Sequence, residues 1–430
     1  MFLIIYNLFL AIYKTGMMLV KPWNRKAELW LEGRKNIFQK ISGAVPSKGS
    51  SQLIWMHCAS LGEFEQGRPV LETIRALYPQ TRILITFFSA SGYEIQKNYP
   101  GADYIAYLPA DSPANAIRFL DIVQPALILW VKYEFWYHYL IEVKKRNIAN
   151  LLISGIFLEK QLFFKWYGGP YKTMLHCFTH LFVQTQESKK LLAGLGLTQN
   201  VSISGDTRFD RVIQIAEKND PLPVIESFCG EYPVVVAGST WPEDEEELDH
   251  YANTHPGIRF IIAPHEIGKT HLEEVKKLFT HSIFYSQIAE QPYKFTNGNR
   301  TDNLEPVNVL VIDNIGMLSR LYKYATITYV GGGFGNSGVH NVIEAAVYGK
   351  PVVIGPVYQK FAEAVALVNC GGAFSIKSAI ELDRIFNRLL QNRYEYTNSC
   401  EASRNYVFSN KGANDKIQQY ISTMNLLNGK

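Results

Sequence analysis

From residue 53 onward, short runs of β-branched and aromatic residues alternate with stretches whose apolar positions recur every three or four residues. The runs Leu53–Cys58, Arg82–Phe88, Tyr104–Leu108, Leu127–Val131, Asn150–Ser154, Leu181–Gln184 and Val201–Ser204 predict strands. Helical spacing between most of them predicts βαβ crossovers, and hence a parallel sheet. The polar, proline-containing stretch Glu217–Pro233 breaks the rhythm and reads as a linker. Alternation resumes with Val234–Ala237, Arg259–Ala263, Val309–Ile312, Ile327–Val330 and Val352–Ile354. Between them, Gln287–Pro306 is polar and reads as a surface loop; beyond Ala379 the spacing is helical without strands. The expected architecture is α/β: two doubly wound domains, 41–216 and 234–430, joined by 217–233 and facing each other across a cleft.

The first forty residues differ in kind. Met1 to Val20 is almost wholly apolar, interrupted by Asn7, Lys14, Thr15 and Gly16, and the basic run Lys21-Pro-Trp-Asn-Arg-Lys26 follows. A helix of that length just crosses about 30 Å of hydrocarbon; a buried core helix passes the same test. Whether it spans a bilayer or lies in its surface is open at this point, but the basic flank puts the body on the cytoplasmic side. A signal peptide fits less well, because no basic region precedes the apolar run and no small-residue cleavage site follows it. Of the net charge of +4, residues 1–40 carry +5, which leaves −1 for the rest. A nearly neutral body argues against a nucleic-acid partner. The five cysteines are widely spaced, so neither a disulfide framework nor a zinc site is expected.

Candidate chemistry clusters where strands end. In Trp55-Met-His-Cys-Ala-Ser-Leu-Gly-Glu63 an apolar strand runs into a small-residue turn carrying one carboxylate, with a helical pattern from Glu65 to Leu77 behind it. A glutamate there is placed to take a proton from a bound hydroxyl, or simply to favour the helix dipole. In the second half, Ala237-Gly-Ser239-Thr240-Trp-Pro-Glu-Asp-Glu245 ends a strand in hydroxyl residues, which hold a phosphate or cap the helix that follows. Asp244 and the glutamates after it read as a solvated acidic helix start. Gly331 to Gly338 is glycine-rich and leads into His340-Asn341-Val-Ile-Glu344. Its amides suit phosphate, and Asn341 and Glu344, three apart on one helix face, suit a ribose diol; a tight turn with capping is the alternative. Ala263-Pro264-His265-Glu266 and Asp313-Asn-Ile-Gly316-Met317-Leu318 end two further strands. No metal-ligating spacing and no G-x-S-x-G elbow occurs.

Taken in order, these motifs resemble the 3-deoxy-D-manno-octulosonic acid (Kdo) transferases of Gram-negative bacteria. The landmarks are Ser60-Leu-Gly-Glu63, Tyr107-Leu-Pro-Ala-Asp111, Glu134-Phe-Trp136, Ser204-Gly-Asp-Thr-Arg-Phe-Asp210, Gly238-Ser-Thr240 and His340-Asn341-x-x-Glu344. The resemblance implies a GT-B glycosyltransferase of two Rossmann-like domains that moves Kdo from CMP-Kdo to a lipid A precursor, with inversion, at the cytoplasmic face of the inner membrane. It implies no cofactor and no metal. Glu63 would be the general base, and Glu134 and Arg208 would stabilise the transition state. CMP would be held by Ser239, Thr240, Pro264, His265, Gly316, Met317, Leu318, Gly338, Asn341 and Glu344. Three stretches depart from the family pattern. Lys132-Tyr-Glu-Phe-Trp-Tyr137 stands where the family has an acidic-Thr-Glu-Leu-Trp-Pro run. Pro264-His265-Glu266 stands for Pro-Arg-His, and Asn341-Val-Ile-Glu344 for Asn-Pro-Leu-Glu. Arg208 matches a family lysine. The competing readings are another GT-B transferase or an epimerase using a UDP-sugar, and an inactive membrane-peripheral scaffold.

Overall fold

The structure, a computed structural model, describes residues 2–45, 51–132, 134–218, 220–289, 295–296, 299–300 and 306–427. The strands β1 (Leu53–Cys58), β2 (Arg82–Phe87), β3 (Tyr104–Tyr107), β4 (Leu127–Val131), β5 (Ala149–Gly155), β6 (His180–Val183) and β7 (Val201–Ile203) form one sheet, in the order β3-β2-β1-β4-β5-β6-β7. The next, β8 (Val234–Thr240), β9 (Arg259–Pro264) and β10 (Ser282–Phe284), belong to a second sheet. Between them and the rest of it, β11 (Phe295–Thr296) and β12 (Asn299–Arg300) pair separately; other residues of the expected surface loop lie outside those described. With β13 (Val309–Val311), β14 (Ile327–Val330), β15 (Val352–Ile354) and β16 (Ala373–Ser375) the second sheet reads β10-β13-β9-β8-β14-β15-β16. All pairings in both sheets are parallel. The order in which strands are added reverses between β1 and β4 in the first sheet, and between β8 and β14 in the second. The crevice beyond the carboxyl ends of strands at such a reversal is where open α/β sheets hold ligands.

The central strands are largely apolar because helices cover both faces of each sheet. In β1, Leu53 and Trp55 enter one core with Leu84, Phe119, Trp130 and Tyr139, while Ile54, Met56 and Cys58 enter the opposite one with Phe64, Ile85 and Leu129. Cys58 is the small core residue its strand position suggests, and burial pushes its thiol pKa up.

Two compact units result, Met1–Arg211 with Lys411–Lys430, and Val212–Asn410. This differs from the expected boundaries in two ways. The segment 217–233 is not an open linker: it contains the helix Pro223–Cys229, whose Val224, Ile225 and Phe228 are buried. The Tyr324 hydroxyl accepts from Leu222 N at 2.8 Å and donates to Glu226 at 3.0 Å, fixing that helix within the second unit. Residues 411–430, expected with the second domain, belong to the first. Ile417, Ile421 and Leu427 join its core beside Phe64 and Leu71, and the Gln418 amide donates to Val70 O at 2.9 Å.

Helix α1 (Phe2–Val20) is long and apolar enough to cross a bilayer, with mean hydropathy 1.7. It lies along the first unit instead of projecting from it. Phe2 meets Tyr137 and Tyr171, and Tyr13 meets Trp30 and Phe88. Tyr6 donates to Asp111 at 2.6 Å, while Asn7 contacts His138 Nε2 at 2.8 Å. The opposite face, with Ile4, Ile5, Leu8, Phe9, Ile12 and Leu19, is exposed. The helices α2 (Arg25–Gly33) and α3 (Ile37–Ala44) continue the contact. Arg34, just past α2, donates to Leu108 O and Phe88 O, both at 2.9 Å, and packs over the Trp30 ring.

Candidate active site

In the first unit, the loops after β1 and β4 flank the reversal. The first enters α4 (Leu61–Leu77), and Glu63 falls in its opening turn, four residues earlier than the helical pattern suggests. The carboxylate folds back to accept from the backbone N–H of Ala59 and is only 8% exposed. Burial raises its pKa to about 7; the Glu134 charge adds to the rise, and the Ala59 and Ser60 N–H groups and Lys132 oppose it. A carboxylate with this proton affinity is half-ionised near neutral pH, the range in which a general base works best.

Glu134 follows β4 and is held by three aromatic neighbours. Trp130 Nε1 donates to its backbone carbonyl, Trp136 Nε1 donates to its Oε2 at 3.1 Å, and His57 Nε2 lies 3.5 Å from the same oxygen. The structure therefore brings Glu63 and Glu134 close enough to interact electrostatically. Arg208 opens the helix Thr207–Lys218, and its guanidinium pairs with Asp206 at 2.8 Å. That helix is tied to α4 by Thr207, which donates to Gln66 O at 2.6 Å, one turn beyond Glu63.

Next to this site, a groove of about 610 Å³ is lined by Lys14, Lys21, Lys35, Arg118, Met18 and Phe38, among others. A second hollow of about 310 Å³ shares Lys14, Trp30, Ala110 and Asn115 with it and extends to Trp136, the residue bonded to Glu134. Lys21 and Lys35 share Glu32, at 2.6 and 2.7 Å, so positive charge is in excess along an apolar floor.

In the second unit, the loops after β8 and β14 flank the reversal. Asp244 and Glu245 are buried there, against the expectation of a solvated acidic start. Asp244 accepts from Gly332 N at 2.7 Å, Trp241 N at 3.0 Å and the Tyr329 hydroxyl at 2.7 Å, and so staples the glycine loop to the start of the helix Pro242–Thr254. Burial raises its pKa, and those three donors restrain the rise. Trp241, not Ser239 or Thr240, is the N-cap residue, with Asp244 reaching back to its N–H. The Thr240 hydroxyl donates to Glu245 at 2.8 Å and is thereby committed within the protein. Ser239 is partly exposed in a left-handed conformation, with φ 54°.

Pro264 ends β9, and the exposed ring of His265 stacks on Trp241 at 4.7 Å and on His340 at 4.5 Å. Trp241 Nε1 donates to His340 Nε2 at 2.9 Å, which leaves His340 a neutral imidazole protonated at Nδ1. Burial, and next the neighbouring His265, lower its pKa to about 4. Asn341 donates to Glu344 at 2.8 Å, as their spacing suggests, while the buried Asn341 Oδ1 has no partner. Gly316 (φ 96°) and Gly338 (φ 81°) adopt conformations that favour glycine, and Met317 and Leu318 begin the helix Leu318–Leu321. A side chain at Gly333 would lie 2.7 Å from Gly355, so the glycine loop packs against the loop after β15. Of the residues expected in the second unit, His265 enters a ring stack with Trp241 and His340, and Asn341 pairs with Glu344. Sequence reasoning passed over three residues of these sites. They are Asp244, taken for surface, Trp241, and His57, whose only signal was a polar residue inside an apolar strand.

Residues 35–211 match the family model described as 3-deoxy-D-manno-octulosonic-acid transferase, or Kdo transferase. A Kdo transferase of Aquifex aeolicus is 28% identical over 81% of this chain and 89% of its own length. The chain is related to the Kdo transferases. A second such enzyme, from Haemophilus influenzae, is 25% identical over 85% of this chain and 86% of its own. Kdo transferases are glycosyltransferases of lipopolysaccharide biosynthesis, and the matched region contains Glu63, Glu134 and Arg208. Among solved structures, UDP-GlcNAc 2-epimerase of Neisseria meningitidis, bound to UDP-GlcNAc, superposes with TM-score 0.62. It covers 86% of this chain and all of its own at 16% identity, a likeness of fold: two doubly wound units of the GT-B kind.

Proposed function

We propose that this Kdo-transferase relative transfers Kdo from CMP-Kdo to a lipid A precursor, with Glu63 as general base. The observation that carries the reading is the buried Glu63 carboxylate at the reversal of the first sheet, with a pKa of about 7. Ionised Glu63 takes the proton of an acceptor hydroxyl as that oxygen bonds to the anomeric carbon of Kdo. The bond from that carbon to the CMP phosphate breaks on the opposite face, which inverts the centre, and CMP leaves with the bonding electrons. Glu134 and Arg208 act on the charge that develops. The departing phosphate is received by the loop amides and side chains of the second unit, with Ser239, Gly338 and His265 nearest to that role; Asn341 and Glu344 hold the ribose. In this reading no metal is required, because backbone dipoles and basic groups meet the charge.

The acceptor reading is supported by the groove beside α1. Its lysines and Arg118 suit phosphate groups, its Met18 and Phe38 suit acyl chains, and the hollow that shares its wall reaches Trp136 and hence Glu134. In the same reading α1 lies in the membrane surface, body on the cytoplasmic face of the inner membrane. A helix whose first turns are docked through Phe2, Tyr6 and Tyr13 presents its exposed isoleucine and leucine face to lipid along its length.

The test is incubation with CMP-Kdo and a tetraacylated, bis-phosphorylated glucosamine disaccharide, read by mass. The expected product is the acceptor plus Kdo, with release of CMP. Thermal shifts separate the donor classes: CMP is expected to raise the melting temperature and UDP to leave it unchanged. No Kdo adduct, together with stabilisation by UDP, would favour an epimerase-like or UDP-sugar chemistry instead.

A further inference from the structure

His57 is the one polar residue of β1 pointing into the aromatic core, and it is fully buried. Its ring packs 4.8 Å from Trp130 and 6.4 Å from Trp55. Among the described residues, two polar groups meet it. At Nδ1 stands the Thr86 hydroxyl, at 2.9 Å. At Nε2 stands the Glu134 carboxylate, at 3.5 Å, just beyond hydrogen-bond geometry, which leaves Nε2 without a bonded partner. A buried nitrogen in that state costs free energy unless something closes the gap.

The hydrogen-bond geometry around Thr86 favours one tautomer of His57. Trp55 Nε1, a donor only, gives its proton to Thr86 Oγ1 at 2.8 Å. Thr86 keeps its own hydroxyl proton, and giving it to His57 Nδ1 at 2.9 Å satisfies both groups. The neutral imidazole then carries its proton on Nε2, aimed at Glu134 Oε2, the oxygen that Trp136 also serves. A line of polar groups runs from Trp55 through Thr86 and His57 toward the Glu134 carboxylate, whose charge acts on Glu63.

We infer that His57 is a positioning residue for transfer: protonated at Nε2 because Thr86 holds Nδ1, it fixes one oxygen of Glu134 and so sets where that negative charge stands relative to Glu63. The inference rests on the role proposed for Glu134 above. It assigns His57 no contact with substrate.

Two measurements test it, one of them independent of activity. In 15N–1H long-range spectra of labelled protein, His57, identified by the signals lost in His57→Gln, is expected as the Nε2–H tautomer. Thr86→Val is expected to abolish that preference, and Glu134→Gln to move the Nε2 resonance. A wild-type His57 protonated at Nδ1 overturns the inference whether or not the protein transfers sugar. In the transfer assay, His57→Phe is expected to lower kcat about tenfold or more, the scale on which orienting partners of functional groups act, with the CMP-induced thermal shift unchanged. His57→Gln, which restores a donor near the Nε2 position, is expected to recover most of the loss. In a Glu134→Gln background His57→Phe is expected to add nothing. Losses that multiply in the double variant, or a Gln variant as poor as Phe, would show a packing role only. If His57→Phe does not fold, Thr86→Val decides, with an expected loss of kcat at unchanged CMP affinity. A wild-type protein that moves no Kdo defeats the transferase reading, not the tautomer.

Discussion

The two units place their candidate residues at the same point of the same architecture, the strand-order reversal, and equip it in opposite ways. Beyond β1 and β4 stand two carboxylates among tryptophans, one of them buried until its pKa reaches about 7. Beyond β8 and β14 the buried carboxylate, Asp244, is saturated by three donors and serves the backbone. What is left open there is a glycine loop and a ring stack. A buried carboxylate whose few donors do not offset its burial is left to take up a proton, whereas one held by three donors becomes a clamp. The scaffold supplies position; the number of donors around each acid supplies the chemistry.

The contrast breaks most sharply at Glu63. Glu63→Gln is expected to lower kcat about 10²–10⁴-fold while CMP still raises the melting temperature; an unchanged kcat would remove the base. The second expectation is in pH. Because the acid form of Glu63 persists to about pH 7, kcat/KM is expected to fall about tenfold per unit as pH drops below that value. A limb near the ordinary carboxylate range would sink the assignment.

The same group has a stability signature of definite sign. Its folded pKa is raised, so the folded state binds the proton more tightly, and its contribution declines as pH rises from the unfolded value through about 7. Glu63→Gln is therefore expected to be more stable than wild type at pH 8, by about 3 kcal/mol at most, and nearly equal to it at pH 4. Urea titrations at the two values check this.

Asp244 is expected to behave the other way. Asp244→Ala leaves two backbone N–H groups and a buried hydroxyl unserved, which costs about 2 kcal/mol or more and weakens CMP binding without moving the pH limb of kcat/KM. The smallest expected effect is Trp241→Phe. It keeps a ring against His265 but removes the donor to His340, and is expected to change CMP affinity by no more than about tenfold, one hydrogen bond's worth.

Much of this was legible in the chain. The central strands of both sheets announce themselves because burial on both faces demands unbroken apolar runs, as in Leu127–Val131. The edge strands of the second sheet do not. Ser282–Phe284 and Ala373–Ser375 have three residues each and are only partly buried, so they left no usable pattern. The Asn341–Glu344 pair was readable from local spacing. Asp244 was not, since its donors Gly332 and Tyr329 lie more than eighty positions away in the chain. Nor could spacing at Ile417 and Ile421 say which of two cores would receive them.

That last feature bears on how the molecule is made. Residues 411–430 complete the unit whose strands emerge first from the ribosome. The early half must wait, with Phe64 and Leu71 incompletely covered, until the late half has been synthesised. A premature stop in those last codons would injure the oldest part of the polypeptide and leave the newer part whole.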